Sequence, residues 1–332
     1  MRYVIIGGSA AAIGCIEGVR SVDKTGEIIL ITGETEWNYS RPLISYLLEG
    51  KTTRDKMWCR PDSFFTRNGV TVKAGVLATT LDAGDRTVRL STGERLAYDR
   101  LLAATGSRPF VPPIPGLETV ERTFCFQTLS DASALAEALR PESRVLILGA
   151  GLTGVKCAEG IRGLCAQIAI ADLAPRVLPA VLDDTAAAMV QARMEEKGVR
   201  FYLNDSAAAF RGNTARLQSG TELEFDVLVT AVGVRPNTQL VADAGGAVDR
   251  GILVDGRCAT TLPDVYAAGD CAQGYDAVSG EKRMLPLWPN AVLQGETAGI
   301  NMAGGRADYT QGIALNASGV FGLHMVTAGR YE

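Results

Sequence analysis

The sequence predicts an α/β protein built from two Rossmann-like dinucleotide-binding units. Two glycine-rich strand-to-helix turns support this prediction, because residues 4–12 read VIIGGSAAA and residues 145–154 read VLILGAGLTG. Each turn follows a short apolar strand and opens into a helix-compatible run. A third observation is a repeated segment, LLAATGSRP at 101–109 and LVTAVGVRP at 228–236, in which an apolar strand breaks at a glycine. Two copies of both signals predict two similar folding units.

The first unit is predicted as a strand at 2–6, a turn, a helix to about residue 20 and a strand at 28–32. Backbone N–H groups at such a helix start face outward, where the helix dipole favours a pyrophosphate. Glu34 follows the second strand, where an acid can hydrogen-bond ribose hydroxyls. Ser9 and Ala12 replace the usual second and third glycines, so an ordinary βα turn is the alternative. The predicted binding residues of this turn are Gly7, Gly8, Ser9, Ala10 and Ala11.

The second unit repeats the pattern, with a strand at 144–148, a turn, a helix and a strand at 168–171 that ends at Asp172. Its turn has all three glycines of the dinucleotide fingerprint. Gly151 lets the backbone approach a pyrophosphate, and Gly154 allows the helix to pack closely on the strand. The predicted nucleotide-binding residues of this unit are Gly149, Gly151, Leu152, Thr153, Gly154, Asp172 and Gly233.

Size and composition limit the alternatives. A chain of 332 residues with 47% hydrophobic residues is long enough for about two domains. A formal net charge of −4 argues against nucleic acid or an anionic membrane as partner. The sequence has neither an apolar run long enough to span a bilayer nor a signal-peptide pattern at its start, so we expect a cytoplasmic protein.

The seven cysteines are odd in number and scattered, which fits reduced thiols better than a disulfide framework or a zinc site. His324 is the only histidine, so neither a multi-histidine metal site nor a Ser-His-Asp triad is expected, and we predict no metal. Cys15, on the predicted first helix, is expected to serve packing.

These segments together resemble the pyridine nucleotide-disulfide oxidoreductase superfamily, whose members bind FAD and NAD(P)H in two such domains. In that superfamily the FAD domain is discontinuous, and its second part carries a segment that here reads TLPDVYAAGDCA at 261–272. The resemblance implies that Asp270 accepts hydrogen bonds from the FAD ribityl chain and that Gly269 meets the pyrophosphate. An isolated Ala-Gly-Asp would otherwise be a plain turn.

The resemblance also implies the domain boundaries. Residues 1–110 and 239–310 would form the FAD domain, residues 111–238 the inserted NAD(P)H domain, and residues 311–332 the start of a C-terminal interface domain. Relatives continue beyond this point. The sequence leaves open whether this chain is truncated or is a naturally short form. The remaining FAD-binding positions implied are Val76, Ala104, Thr105, Gly106 and Arg108.

The pattern is most similar to NADH:rubredoxin reductases and to the flavin-bearing part of assimilatory nitrite reductases. NYSRPLIS at 38–45 and LPLWPNA at 285–291 are similar to their flavin-side segments, which makes Arg41, Pro42 and Trp288 the flavin-proximal candidates. Trp288 is equally compatible with a core aromatic, and Arg41 and Arg108 with surface salt bridges.

One departure from the superfamily concerns thiol chemistry. The redox cysteine of its thiol-using branches falls on Pro42, and the chain has no C-x-x-C or C-x-x-x-x-C pair. A second departure is Lys156, where many relatives carry a glutamate near the nicotinamide; a solvated helix lysine is the plain alternative. Active-site disulfide chemistry is therefore not expected.

The implied reaction is hydride transfer from NADH to FAD, followed by electron release to a carrier such as rubredoxin or another iron–sulfur protein. Asp172 favours NADH over NADPH because a carboxylate repels a 2′-phosphate, although Arg176 lies close in sequence. The alternatives are an oxidase that reduces oxygen, a thiol reductase with an unrecognised cysteine, and a non-catalytic nucleotide-binding module. The sequence also leaves open whether the protein forms a homodimer.

Overall fold

The computed structural model describes residues 1–329, and its two largest sheets are both parallel and five-stranded. Strands are numbered in chain order. The first sheet contains β1 (Arg2–Ile6), β2 (Glu27–Thr32), β3 (Val70–Ala74), β7 (Arg100–Ala103) and β19 (Val265–Ala267). The second contains β9 (Thr123–Phe124), β10 (Arg144–Leu148), β11 (Gln167–Asp172), β12 (Val199–Leu203) and β16 (Val227–Thr230).

The two sheets have the same plan. The order β19-β7-β1-β2-β3 matches β9-β16-β10-β11-β12 strand for strand, with the strand before each glycine turn at the centre. The first sheet draws β19 from late in the chain, so the second sheet lies in sequence between parts of the first. These sheets confirm the predicted α/β class with two Rossmann-like units, one of them discontinuous.

Two of the smaller sheets also match each other. Each unit carries a three-stranded antiparallel sheet, and one two-stranded ribbon joins the units. The strands of these sheets are β4 (Ala78–Asp82), β5 (Thr87–Leu90), β6 (Arg95–Ala97), β13 (Ala207–Arg211), β14 (Thr214–Leu217) and β15 (Glu222–Glu224). The ribbon pairs β8 (Ser107–Pro109) with β17 (Val234–Pro236).

The remaining strands follow the second unit in sequence. They are β18 (Ile252–Leu253), β20 (Ala272–Tyr275) and β21 (Lys282–Met284) in one sheet, then β22 (Leu315–Val320) and β23 (Leu323–Ala328) in a hairpin. The hairpin packs Val320 and, in part, Phe321, Leu323 and Met325 on the core of the second unit.

The α-helices are α1 (Ala10–Val22), α2 (Ile44–Leu48), α3 (Asp62–Arg67), α4 (Leu129–Ala138), α5 (Leu152–Ile161), α6 (Asp184–Glu196), α7 (Gln239–Asp243) and α8 (Trp288–Met302). Short 3₁₀ helices span Arg41–Leu43, Arg54–Lys56 and Leu117–Thr119. Among the helices of residues 1–329, none is long and apolar enough to cross a membrane.

Helices α1 and α8 pack backbone to backbone through glycines. A Cβ on Gly14 would lie 2.1 Å from the Val292 carbonyl oxygen, and one on Gly299 would lie 2.3 Å from that of Cys15. Gly18 and Gly295 make equally close approaches to the opposite helix. Glycine is required at these four positions because any side chain would separate the helices. This contact fixes the late helix α8 beside the first glycine turn.

Candidate functional site

The two glycine turns have equivalent geometry. Gly7 has φ +121°, and a Cβ there would lie 2.0 Å from the Ala104 carbonyl oxygen. Gly149 has φ +109°, and a Cβ there would lie 2.4 Å from the Ala231 carbonyl oxygen. Both the backbone conformation and the close approach of the neighbouring strand therefore require glycine. Each turn opens at the carboxyl edge of a parallel sheet, where such folds bind ligands.

The helices that follow these turns begin without a side-chain cap. Among the described residues, no side chain accepts a hydrogen bond at the first turn of α1, after Ser9, or of α5, after Gly151. Thr128 and Asp131 form a capping box on α4, and Asp183 caps α6 by accepting the Ala186 N–H at 2.8 Å. The described helices α2, α3, α7 and α8 also begin without a side-chain cap. The N–H groups of the first two residues of α1 and of α5 are thus left for an anion such as a phosphate.

The three glycines of the second turn have different surroundings. A Cβ on Gly154 would lie 1.9 Å from the Gly149 carbonyl oxygen, so this glycine lets α5 pack against the turn. A Cβ on Gly151 would have no described atom within 4 Å. The space in front of Gly151 is open, as backbone contact with a pyrophosphate requires.

The turn that contains Asp270 lies against the start of α1. A Cβ on Gly269 would lie 3.2 Å from Cβ of Ala11, and the Gly269 N–H donates to Gln294 of α8 at 2.7 Å. Burial raises the pKa of the Asp270 carboxyl, and this effect is opposed by the Ser107 hydroxyl, which donates to it at 3.3 Å, and by the charge of Arg41. A half-buried carboxylate with one hydrogen bond has capacity for a further donor from a ligand.

A chain of polar contacts connects Glu34 to Asp270. Glu34 pairs with Arg41, which also donates to the Gln127 carbonyl oxygen at 2.9 Å. The Gln127 amide donates to the Ser107 carbonyl and hydroxyl oxygens at 2.9 and 3.1 Å, and Ser107 donates to Asp270. The structure thus brings three predicted site residues into one network through Gln127 and Ser107, neither of which the sequence singled out.

The other flavin-proximal candidates lie at element starts. Pro42 is the second residue of the 3₁₀ helix that precedes α2, and Trp288 is the first residue of α8. Trp288 is 37% exposed, so it is not a core aromatic. Burial raises the pKa of Cys59, against the opposing effects of Arg60 and Trp288.

The remaining predicted FAD-side positions follow strand ends. Ala104, Thr105 and Gly106 form the break between β7 and β8, where Gly106 has φ +65°. Arg108 lies in β8 and donates to the side-chain oxygen of Asn237 at 3.0 Å. The Val76 N–H donates to the Thr32 carbonyl oxygen at 3.0 Å, which holds it beside the end of β2.

The second turn borders a cavity of about 400 Å³. Asp172 lies in its wall and accepts the N–H groups of Ala150 at 2.5 Å and Ala174 at 2.8 Å. Among the described residues that line it, none is a lysine or arginine. Arg176 is directed elsewhere, to the Leu182 carbonyl oxygen and to Asp184. The lining residues are Gly151, Leu152, Thr153, Asp172, Leu173, Leu178, Pro179, Ala180, Val181, Ser206, Ala231, Val232 and Gly233.

All seven cysteines lie in the described part of the chain and are free thiols. Cys15 is fully buried and packs on Met302, with 3.7 Å between the sulfur atoms. Cys271, next to Asp270, is also fully buried and directs its thiol to the Ala103 and Ala268 carbonyl oxygens. Burial raises the pKa of both thiols, which keeps them protonated and unreactive.

Two glycine turns, each followed by a helix without a side-chain cap, lie at the edges of two matching parallel sheets. This arrangement defines a class of proteins that hold two dinucleotides. The model of the pyridine nucleotide-disulphide oxidoreductase family matches residues 1–295. The chain belongs to this family, and the predicted resemblance is confirmed. It is an oxidoreductase, and its cofactors, FAD and NAD(H), follow from that membership.

Individual relatives agree with this assignment. The NADH-dependent phenylglyoxylate dehydrogenase subunit epsilon of Aromatoleum evansii is 33% identical over 99% of this chain and 79% of its own length. A rubredoxin-NAD(+) reductase of Pseudomonas putida is 29% identical over 92% of this chain and 80% of its own length. The solved structure of the covalent putidaredoxin reductase-putidaredoxin complex aligns with TM-score 0.91 at 25% identity, over 99% of this chain and 81% of that one.

Proposed function

We propose that this protein oxidises NADH through bound FAD and passes the electrons to a small redox protein. The observation that carries the proposal is the pair of equivalent glycine turns, each followed by an uncapped helix. Bound FAD accepts a hydride from NADH and can release electrons singly, chemistry that the cofactor itself supplies. The chain's residues have to bind both dinucleotides, orient them and exclude water.

On the FAD side, the first sheet and α8 supply the contacts. We assign residues 1–110 and 239–310 to this domain, and residues 311–332 to the start of an interface domain. The uncapped start of α1 would hold the pyrophosphate, and Asp270 would accept a ribityl hydroxyl. Glu34, which is already paired with Arg41, would receive the adenosine ribose.

On the nicotinamide side, we assign residues 111–238. The start of α5 would hold the pyrophosphate in front of Gly151, and Asp172 would accept the ribose hydroxyls. NADH is the favoured form because the cavity wall offers a carboxylate and no described cation for a 2′-phosphate. The relative from Aromatoleum evansii is also named NADH-dependent.

The acceptor is proposed to be a one-electron carrier of the rubredoxin or iron–sulfur type. The names of two related proteins support this assignment, a rubredoxin-NAD(+) reductase and a putidaredoxin reductase in complex with putidaredoxin. No relay through a disulfide is proposed, because the structure has Pro42 in the 3₁₀ helix before α2 and seven free, mostly buried thiols. Free thiols also fit the cytoplasmic location expected from the sequence.

Steady-state turnover with three acceptors tests the proposal. The purified, FAD-loaded protein is given NADH with rubredoxin, with a [2Fe–2S] ferredoxin, or with oxygen alone. We expect carrier reduction at least tenfold faster than oxygen consumption. Oxygen consumption that accounts for all NADH oxidised would instead make the protein an NADH oxidase. NADH binding without flavin bleaching would make it a non-catalytic module.

A further inference from the structure

Lys156 lies one turn into α5, and a solvated helix lysine is the plain alternative for it from the sequence. In the structure its side chain is only 15% exposed and its ammonium pairs with Glu159. The same ammonium donates to the Gly319 carbonyl oxygen at 2.9 Å. Lys156 therefore connects the nucleotide-side helix to the tip of the β22–β23 hairpin, and it is not a solvated helix lysine.

Glu159, the acidic partner of Lys156, also binds the hairpin tip. Its side chain is 2% exposed, and its carboxylate accepts the Phe321 N–H at 2.6 Å. Arg193 of α6 donates to the Phe321 carbonyl oxygen at 3.1 Å. Three charged side chains of the second unit thus bind three backbone groups at the hairpin tip. A buried carboxylate is costly unless it is paired and hydrogen-bonded, and both conditions are met here.

The same lysine contacts the flavin-side helix. Its ammonium lies 4.3 Å from the ring centroid of Tyr46 in α2, and that of Lys51 lies 5.7 Å from it. A Cβ on Gly160 of α5 would lie 3.2 Å from Cα of Ser45, so the two helices touch backbone to backbone. Helix α2 follows directly on the segment with Arg41 and Pro42, while α5 begins at the second glycine turn.

We propose that Lys156 is a positioning residue that fixes α2 and the hairpin tip to α5 and so sets the spacing between the two cofactor sites. This inference rests on the proposed function. Lys156 acts through Tyr46, Glu159 and the Gly319 carbonyl, with its ammonium fully occupied by these groups. Hydride transfer needs reacting atoms about 3–3.5 Å apart, and a misplacement of about 1 Å can cost about 100-fold in rate. A loosened contact between α2 and α5 would therefore slow hydride transfer without emptying either site.

The test compares Lys156→Met, which removes the charge at similar volume, with Lys156→Arg, which retains it. For each FAD-loaded variant, hydrogen exchange reports on the hairpin tip, absorbance on flavin content, and stopped-flow bleaching on NADH affinity and the rate of flavin reduction. We expect Lys156→Met to keep its flavin and to bind NADH within about twofold of wild type. Its hairpin-tip amides should exchange at least tenfold faster, and its reduction rate should fall about tenfold. Lys156→Arg should resemble wild type in every readout.

Two results would overturn the proposal. Faster hairpin exchange with an unchanged reduction rate would leave Lys156 a purely structural residue. A loss of NADH affinity with an unchanged limiting rate would indicate direct contact with the nucleotide. If Lys156→Met does not fold, Tyr46→Leu removes the ring that contacts Lys156 and leaves the Lys156–Glu159 pair in place. This variant should slow flavin reduction, and an unchanged reduction rate would overturn the proposal. A wild-type flavin that NADH does not bleach would refute the proposed function, whereas hydrogen exchange would still test the contact itself.

Discussion

Thr105 and Asn237 hold each other across the ribbon that joins the two units. The Thr105 hydroxyl donates to the Asn237 carbonyl oxygen at 2.6 Å, and the Asn237 side-chain amide donates to the Thr105 carbonyl oxygen at 2.9 Å. The Asn237 N–H donates to Gly106, and its side-chain oxygen accepts from Arg108. Every hydrogen-bonding group of the Asn237 side chain therefore serves the joint between the sheets.

Asn237→Ala is expected to loosen this joint. Loss of the two side-chain contacts should lower the free energy of unfolding by about 1–3 kcal/mol. Thermal unfolding by calorimetry measures the effect, with Thr105→Val and the double variant completing a cycle. The two substitutions remove different hydrogen bonds of the same joint, and their effects should be less than additive because the loss of either bond loosens the joint that the other holds. Strict additivity would mean that the residues do not act together.

Gly151→Ala and Gly154→Ala form a matched pair with opposite expected effects. The added methyl group at Gly151 meets no described atom within 4 Å, so Tm should stay within about 1 °C of wild type while NADH affinity falls at least tenfold. At Gly154 the methyl group meets the Gly149 carbonyl oxygen, so Tm itself should fall by several degrees. Calorimetry and an NADH titration distinguish the two. Unchanged NADH affinity in Gly151→Ala would contradict the placement of the pyrophosphate at the start of α5.

Asp172→Ala is expected to reduce the preference for NADH over NADPH by roughly 10- to 100-fold, the equivalent of about 1.5–3 kcal/mol for hydrogen bonds to a charged group. Asp172 also binds the Ala150 and Ala174 N–H groups, so Asp172→Asn provides a milder variant whose amide oxygen can still accept one of them. Arg176→Ala is the control and should leave the ratio unchanged, because Arg176 contacts Leu182 and Asp184. The ratio of kcat/KM values for the two nucleotides is the measurement. A shift with Arg176→Ala and none with Asp172→Ala would reverse these roles.

Asp270→Ala is expected to lower FAD occupancy, since the lost hydrogen bond to a charged acceptor contributes roughly 1.5–3 kcal/mol. The ratio of flavin absorbance to protein absorbance measures this occupancy. Stoichiometric flavin in the variant would contradict the role assigned to Asp270.

The half-buried carboxyl of Asp270 also predicts a pH dependence of the flavin-free protein. Because burial raises its pKa in the folded state, the folded protein binds this proton more tightly than the unfolded chain does. The free energy of unfolding that this tighter proton binding contributes is fully present below the ordinary aspartate pKa of about 3.9. It is lost as pH rises through the raised pKa. Flavin-free Asp270→Asn should thus have a higher Tm than flavin-free wild type at pH 7, with the difference shrinking toward pH 4. An equal difference at both pH values would exclude the carboxyl as its cause.

The sequence predicted the sheets because their signals are local. Apolar strands that end in a glycine turn, at Gly7 and at Gly149, need no knowledge of distant contacts. The helix after the first turn extends to Val22, two residues past its predicted end. The contacts of Gly14 with α8, of Gln127 with Ser107 and of Lys156 with the hairpin join segments far apart in the chain. No local pattern marks such residues, since their role depends on which segment the fold brings to them.

An anaerobic NADH titration, followed by visible absorption, tests the central claim most directly. A two-electron flavoenzyme with no second redox centre should lose its yellow flavin band after about one NADH per FAD. Uptake of about two NADH per FAD would reveal a redox-active disulfide and contradict the interpretation of Pro42 and the seven free thiols. A colourless protein, or a flavin that NADH does not bleach, would contradict the account altogether.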